Sequence, residues 1–173
     1  AVVGLISGDD AVERRQRALI GAGIGALAGG SVGYYMDKQE AEMRDALAAS
    51  EAAAVRREGE LLAITLKGDV SFDLDSDVVR PGLYNELDRI AQIMIKYPQT
   101  SILVEGHTDS DGDDASNLTL SEERAKTVKN TMIKLGISPD RLSTKGLGET
   151  TPMDTNDSPE GKANNRRVEF VKI

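Results

Sequence analysis

The chain has 173 residues, which is enough for one ordinary domain and an additional segment. Its formal net charge of -8 argues against nucleic-acid binding, because phosphates need basic partners, and aromatic residues at 3% leave few surfaces on which bases or sugars could stack. With no cysteine and a single histidine, the sequence excludes disulfides and thiolate metal sites, and we expect no metal and no cofactor.

The N-terminal part of the chain carries glycines at a helical interval. Residues 18–36 contain no charged side chain, and every fourth position from residue 21 is a glycine: Gly21, Gly25, Gly29 and Gly33. These glycines fall on one stripe of a helix, which allows the close helix–helix approach found between membrane helices. Residues 1–36 are therefore predicted to be a glycine-zipper segment for membrane association or homo-oligomerisation. A flexible Gly/Ala-rich linker is the alternative.

The following segment, residues 37–59, has the composition of a solvated helix. It is rich in Ala, Glu, Lys and Arg, and Met36, Met43 and Leu47 give it a thin apolar edge without a sustained heptad. We expect a helical spacer that runs up to Gly59, where a new domain would begin.

Residues 60–173 show the mixed strand and helix patterns of a separate domain. Strands are predicted at residues 61–66, 101–105, 142–146 and 168–173, with a brief extended piece at 70–73. Helices are predicted from Pro81 to the Tyr97-Pro98 stop and at 120–135, and a long polar loop at 148–165. Strands that alternate with two helices indicate an α/β (α+β) sandwich, in which a small mixed sheet carries the helices on one face.

The second of these helices has two candidate starts. Thr119 and Glu122 have the spacing of a capping box, whereas Asn117 would be an N-cap one turn earlier. In both cases residues 110–116 form a polar loop before the helix. Gly136 is expected to end it as a C′ glycine.

Two opposite charges flank this loop. Asp109 follows the predicted strand, and Arg124 shares a helical stripe near the helix start with Asn117 and Ser121. An arginine fork suits a carboxylate, helped by the positive end of the helix dipole, and an aspartate suits an ammonium. The pair would fit the head group of an amino acid. The same spacing equally fits a structural Asp109–Arg124 ion pair that only joins strand to helix.

Catalysis and calcium binding are poorly supported by the sequence. His107 has no evident nucleophile to serve, since Ser121 does not lie in a G-x-S-x-G elbow, and a histidine at a strand end is usually packed or hydrogen-bonded. The acidic runs that begin at Asp73 and Asp109 start like EF-hand loops, but both lack the required glycine and the closing glutamate. We expect no catalytic residue and no metal ligand.

The motif around the two charges resembles the signature of the OmpA-like peptidoglycan-binding domain of Gram-negative envelopes. It reads Gly106-His107-Thr108-Asp109, then Asn117-x-x-Leu120-Ser121-x-x-Arg124-Ala125-x-x-Val128. The opening and closing segments of the family are matched by Val70-x-Phe72-Asp73 with Asp77 and Pro81, and by Gly161-x-x-x-Asn165-Arg166-Arg167-Val168-Glu169. The arm, with Gly-Tyr-Tyr-Met-Asp-x-Gln-Glu-Ala at 33–41, is similar to glycine-zipper outer-membrane lipoproteins, in which an acylated cysteine precedes the zipper. This sequence contains none.

The resemblance implies roles for seven side chains. The residues matching Asp109 and Arg124 hold the ammonium and the carboxylate of diaminopimelate in the peptidoglycan stem peptide. The others would border, line or brace the pocket: Thr108, Asn117, Phe72, Asp73 and Arg166. Each of these also has a structural interpretation, such as a helix cap for Asn117. The extra acidity of Asp111, Asp113 and Asp114 would favour the ligand's ammonium or disfavour its carboxylate.

The resemblance also implies a function. It predicts a non-catalytic module on the periplasmic face of the outer membrane of a Gram-negative bacterium, tethering that membrane to peptidoglycan. The N-terminal arm would supply the contact with the membrane or with other copies of the chain. The alternatives are a structural oligomer whose C-terminal domain binds a protein partner, and a hydrolase acting on stem peptides.

Overall fold

The computed structural model of the protein describes residues 31–59 and 61–172. The helices are α1 (Ser31–Leu47), α2 (Gly68–Ser71), α3 (Tyr84–Lys96), α4 (Asp114–Lys134) and α5 (Pro159–Asn165). The strands are β1 (Ala53–Glu58), β2 (Leu61–Lys67), β3 (Ile102–His107), β4 (Leu142–Gly146) and β5 (Arg167–Lys172). None of the helices within the described ranges combines the length and apolarity needed to cross a bilayer. Most of the predicted glycine zipper, including Gly21, Gly25 and Gly29, lies outside the described residues.

The five strands form one mixed sheet in the order β1-β2-β5-β3-β4. The β3–β4 pair is parallel, and the other three pairs are antiparallel. The last strand of the chain therefore lies at the centre of the sheet. The mixed sheet predicted from the sequence is confirmed.

One face of the sheet packs on the helices. Its inward side chains form a buried core with apolar residues of α1, α3 and α4, including Ile64, Val104, Phe170, Met43, Leu87, Ile90, Val128 and Met132. Their spacing in α3 is the helical periodicity seen in the sequence. The prediction that helices pack on one face of the sheet is confirmed for α3 and α4, and α1, which was expected to be a solvated spacer, packs there as well.

The helical spacer predicted for residues 37–59 is wrong beyond Leu47. The side chain of Ser50 accepts hydrogen bonds from the N–H groups of Ala52 and Ala53, which turns the chain into β1. That strand pairs with β2 through a hairpin turn at Gly59, whose φ is +59°. Helix-favouring composition was overridden here by strand pairing, a long-range interaction that local propensity does not contain. The boundary predicted at Gly59 thus falls inside the sheet.

The apolar edge of α1 is a packing surface. Met36 and Met43 are fully buried, and Leu47 is nearly so. Polar contacts add to this interface, since the carboxylate of Glu42 accepts hydrogen bonds from Tyr97 Oη at 2.7 Å and from Lys96 Nζ at 2.8 Å. Helix α1 is therefore part of the folded unit.

Helix α4 begins earlier than predicted. Asp113 is its N-cap, and its carboxylate accepts a hydrogen bond from the Ser116 N–H at 3.0 Å. The capping box at Thr119 is wrong, because its hydroxyl donates to the carbonyl of Ala115 inside the helix. Gly136 follows the helix with a φ of +108°, so the predicted C′ glycine is confirmed.

Two predicted irregular segments contain short helices. Residues 70–73 were expected to be extended, but the single turn α2 extends into them, and only Phe72 forms an isolated β-bridge, to Val79. The polar loop at 148–165 includes α5, capped by Ser158, whose hydroxyl accepts from the Gly161 N–H. Both helices lie beside the candidate site.

Candidate functional site

The candidate site is built where β3 leaves the core beside α4. A Cβ added to Gly106 would lie 2.7 Å from the carbonyl carbon of Ser121, so the two backbones are in direct contact. Beyond the strand, the Thr108 N–H donates to the carbonyl of Gly148 at 2.8 Å, and the Gly148 N–H donates to the Ser121 hydroxyl at 3.0 Å. The strand end and the helix are thereby held at a fixed separation. This gives a structural role to Ser121, which is fully buried.

The carboxylate of Asp109 is nearly buried and already has two partners. One oxygen accepts from the Asp111 N–H at 2.9 Å, and the other accepts from Arg166 Nη1 at 2.6 Å. Arg166 also donates two hydrogen bonds to Asp69, each of 2.9 Å. Asp69, Arg166 and Asp109 therefore form a chain of ion pairs. The guanidinium lowers the pKa of Asp69, and the two carboxylates raise the pKa of Arg166.

Arg124 is held in a different way. Its Nε donates to the carbonyl of Ser76 at 2.9 Å, its Nη2 donates to the carbonyl of Asp73 at 3.3 Å, and its guanidinium lies 4.9 Å from the centre of the Phe72 ring. Burial lowers the pKa of Arg124, although nearby acidic side chains, led by Asp75, oppose the shift. The side chain makes no ion pair with any described residue. The structural Asp109–Arg124 ion pair is therefore not formed.

The helix dipole contributes less than the sequence suggested. Because α4 begins at Asp114, Arg124 lies ten residues inside it, about 15 Å from its first residue at 1.5 Å per residue. The dipole acts within the first turn of a helix. The expected contribution of the α4 N-terminus to carboxylate binding is wrong.

The remaining predicted residues are placed in two groups. Asn117 is buried beside Asp109, and its side-chain amide donates to the carbonyl of Asp111 at 2.9 Å and weakly to that of Asp109 at 3.4 Å. It ties the loop to α4 and is not the N-cap. Phe72 is buried beneath Arg124, whereas the exposed carboxylate of Asp73 pairs with Arg80 at 2.8 Å. Only the backbone carbonyl of Asp73 contacts Arg124.

The acidic residues of the loop between β3 and α4 make contacts with other parts of the protein. Asp111 pairs with Lys162 at 2.9 Å, and this contact raises the pKa of Lys162. The carboxylate of Asp113 caps α4. Asp114 approaches Glu149 closely enough to raise the pKa of that carboxyl. These aspartates therefore add less negative charge to the site than their number suggests.

A second polar cluster lies on the face of the sheet opposite the core. Glu105, His107 and Glu169 are buried with ligand atoms within 4.8 Å of one another, close enough to surround a metal ion. Glu169 is, however, paired with Arg56 and with Arg167, each at 3.3 Å. Burial and the charge of Arg167 lower the pKa of His107, whose Nε2 lies 3.2 Å from Glu105. The prediction of a packed, hydrogen-bonding histidine is confirmed.

Comparison with known proteins gives consistent matches. The sequence matches the model of the OmpA family over residues 71–166 and a glycine-zipper model over residues 1–40. It is 40% identical to the probable lipoprotein YiaD of Escherichia coli, over 92% of this chain and 72% of that protein. It is 36% identical to the peptidoglycan-binding protein ArfA of Mycobacterium bovis, over 60% of this chain but only 32% of that protein. The solved structure of the cell wall anchor of the T6SS from Pseudomonas aeruginosa matches with a TM-score of 0.68 and 30% identity, covering 76% of this chain and 94% of that chain.

Proposed function

Because the chain belongs to the OmpA family, we propose that it is a non-catalytic module that binds peptidoglycan. A relative that is a peptidoglycan-binding protein and a structural neighbour that is a cell wall anchor support this assignment. We further propose that it acts at the periplasmic face of an outer membrane, because it is similar to the probable lipoprotein YiaD and matches a glycine-zipper model.

The observation that carries the proposal is the environment of Arg124. A buried guanidinium without an ion pair is costly unless a ligand completes it. Two of its five N–H groups donate to backbone carbonyls, and the other three make no hydrogen bond with the described part of the chain. A ligand carboxylate would take these donors. Each charge-assisted hydrogen bond would contribute about 1.5–3 kcal/mol.

The second half of the ligand would be an ammonium group on Asp109. A carboxylate has about four acceptor positions, and the two protein contacts of Asp109 leave capacity for an ammonium. An ammonium next to a carboxylate is the free head group of diaminopimelate in the stem peptide of peptidoglycan. We therefore assign diaminopimelate as the recognised component, with Asp109 and Arg124 as its two charged contacts.

Hydrolysis of the stem peptide is not part of the proposal. His107 is almost fully buried, and this burial lowers its pKa, whereas the Ser121 hydroxyl donates to the carbonyl of Leu118 and accepts from the Gly148 N–H. Neither side chain is placed to reach a substrate. The chemistry of the site is recognition of charge.

The test is binding of the whole chain to purified sacculi from a diaminopimelate-containing wall. Loss of either charged contact removes at least one charge-assisted hydrogen bond, so Asp109→Asn and Arg124→Gln should each weaken binding by roughly 10- to 100-fold. The exposed Arg89→Gln and Asp88→Asn of α3 are matched controls and should bind as the wild type does. Unchanged binding by Asp109→Asn and Arg124→Gln, with native circular dichroism, would refute the assignment.

A further inference from the structure

We propose that Asp69 sets the charge of the binding site by neutralising Arg166, which leaves the charge of Asp109 available for the ligand's ammonium. This inference rests on the proposed function. It assigns a selectivity role to a residue outside the sequence motifs that mark the site.

The contact geometry makes Arg166 a shared cation. Its Nε and Nη2 each donate to a different oxygen of Asp69 at 2.9 Å, the bidentate arrangement that suits a guanidinium and a carboxylate. The remaining terminal nitrogen, Nη1, donates to Asp109 at 2.6 Å. Two carboxylates thus compete for one positive charge, and Asp69 holds the larger share of its donors.

Backbone contacts hold Asp69 in this position. The N–H of Gly68 donates to the carbonyl of Arg166 at 2.8 Å. A Cβ on Gly68 would lie 2.6 Å from the same carbonyl oxygen, so a larger residue would separate the two segments. Helix α2 is therefore docked directly on the residue that its aspartate binds.

The charge balance depends on this residue. Asp69, Arg166 and Asp109 together carry one net negative charge, and the adjacent Asp111–Lys162 pair carries none. Arg124 supplies one positive charge and lies within electrostatic range of Asp69 and Arg166, and also of the carboxylates of Asp75 and Asp77, which face the guanidinium in the wild type and in an Asp69 variant alike. The site is then complementary to a zwitterion. Without Asp69, the charges of Arg166 and Asp109 cancel, and the site favours a ligand that has a carboxylate and no ammonium group.

The effect should appear in selectivity and not in stability. The side chains of Asp69 and Arg166 are 56% and 29% exposed, and ion pairs this exposed contribute little to folding. If Asp69 had only a structural role, its replacement would weaken the binding of ligands with and without an ammonium group to the same degree. A role in setting the charge predicts opposite effects on ligands with and without an ammonium.

The experiment compares Asp69→Asn with the wild type by calorimetry, using diaminopimelate and pimelate, the same dicarboxylate chain without ammonium groups. We expect Asp69→Asn to weaken diaminopimelate binding about tenfold, from the loss of one charge in partly screened surroundings, and to leave pimelate binding equal or stronger. Asp69→Glu keeps the charge and should restore most of the affinity for diaminopimelate. Asp88→Asn controls for the change in overall charge.

The outcomes separate this inference from the proposed function. If the wild type does not bind diaminopimelate, the proposed function fails and the inference fails with it. If the wild type binds it and Asp69→Asn binds it equally well, only the inference fails. Parallel loss of both ligands, or no rescue by Asp69→Glu in a folded variant, would also overturn it.

Discussion

Replacement of Gly106 by alanine tests whether the contact between β3 and α4 sets the geometry of the site. The new Cβ would overlap the carbonyl group of Ser121 and would lie 3.0 Å from its Cα. Gly146, which pairs with Gly106 in the sheet, is equally close to α4. A Cβ added to Gly146 would lie 2.7 Å from the backbone nitrogen of Glu122. A side chain cannot relieve this overlap by changing rotamer. The helix itself must move away from the sheet.

The cost can be estimated from core overpacking, which destabilises proteins by about 1–3 kcal/mol and occasionally more. Because the overlap involves backbone atoms, we expect about 3 kcal/mol for Gly106→Ala, or a Tm about 10 °C lower at roughly 3 °C per kcal/mol for a domain of this size. Displacement of α4 also changes the position of Arg124 relative to Asp109. Sacculus binding should therefore weaken even below the lowered Tm.

Thermal unfolding followed by circular dichroism, together with sacculus binding at a temperature where the variant is folded, measures both effects. Gly82→Ala is the matched control, because no heavy atom lies within 4 Å of its added Cβ. The control should unfold and bind as the wild type does. If Gly106→Ala has a wild-type Tm and wild-type binding, the contact does not constrain the site.

Two further predictions concern the core and the buried histidine. Met43→Ala should lower the free energy of unfolding by about 2–5 kcal/mol in urea titrations, because it leaves a cavity between α1 and the core; an effect no larger than that of the exposed Met153→Ala would contradict the docking of α1. Burial lowers the pKa of His107 below 6.5 in the folded protein, so this histidine binds a proton more readily in the unfolded protein. The contribution of neutral His107 to the free energy of unfolding is therefore fully present above pH 6.5 and is lost as the pH falls below that value. In His107→Gln this part of the pH dependence should be flatter, and an unchanged slope would argue against the shift.

Elements governed by local patterns were predictable. Helix α3 follows from the spacing of its apolar residues, and β4 has the predicted bounds of residues 142–146. Strand β1 was missed because its identity depends on pairing with β2. The start of α4 was misplaced because several residues in 110–119 are good caps, and only the folded loop selects Asp113.

The candidate site could likewise be predicted only in part from the sequence. The motif identifies Asp109 and Arg124, but spacing alone leaves an ion pair and a ligand site equally open. In the structure Asp109 pairs with Arg166 and Arg124 donates to a backbone carbonyl, so the ion pair between Asp109 and Arg124 is not formed. The link between Asp69 and Arg166 spans 97 positions, and no local pattern contains it. The one available sequence signal was that Asp69 immediately precedes the opening motif.

The central position of β5 has a consequence for when the protein can fold. Without residues 167–172, β1 and β2 form an isolated hairpin, and β3 and β4 form an isolated parallel pair, because β5 alone joins the two halves of the sheet. A hairpin by itself is marginally stable, and contacts distant in sequence form slowly. A chain that emerges amino end first, from a ribosome or a translocation channel, therefore cannot close its sheet until these residues arrive.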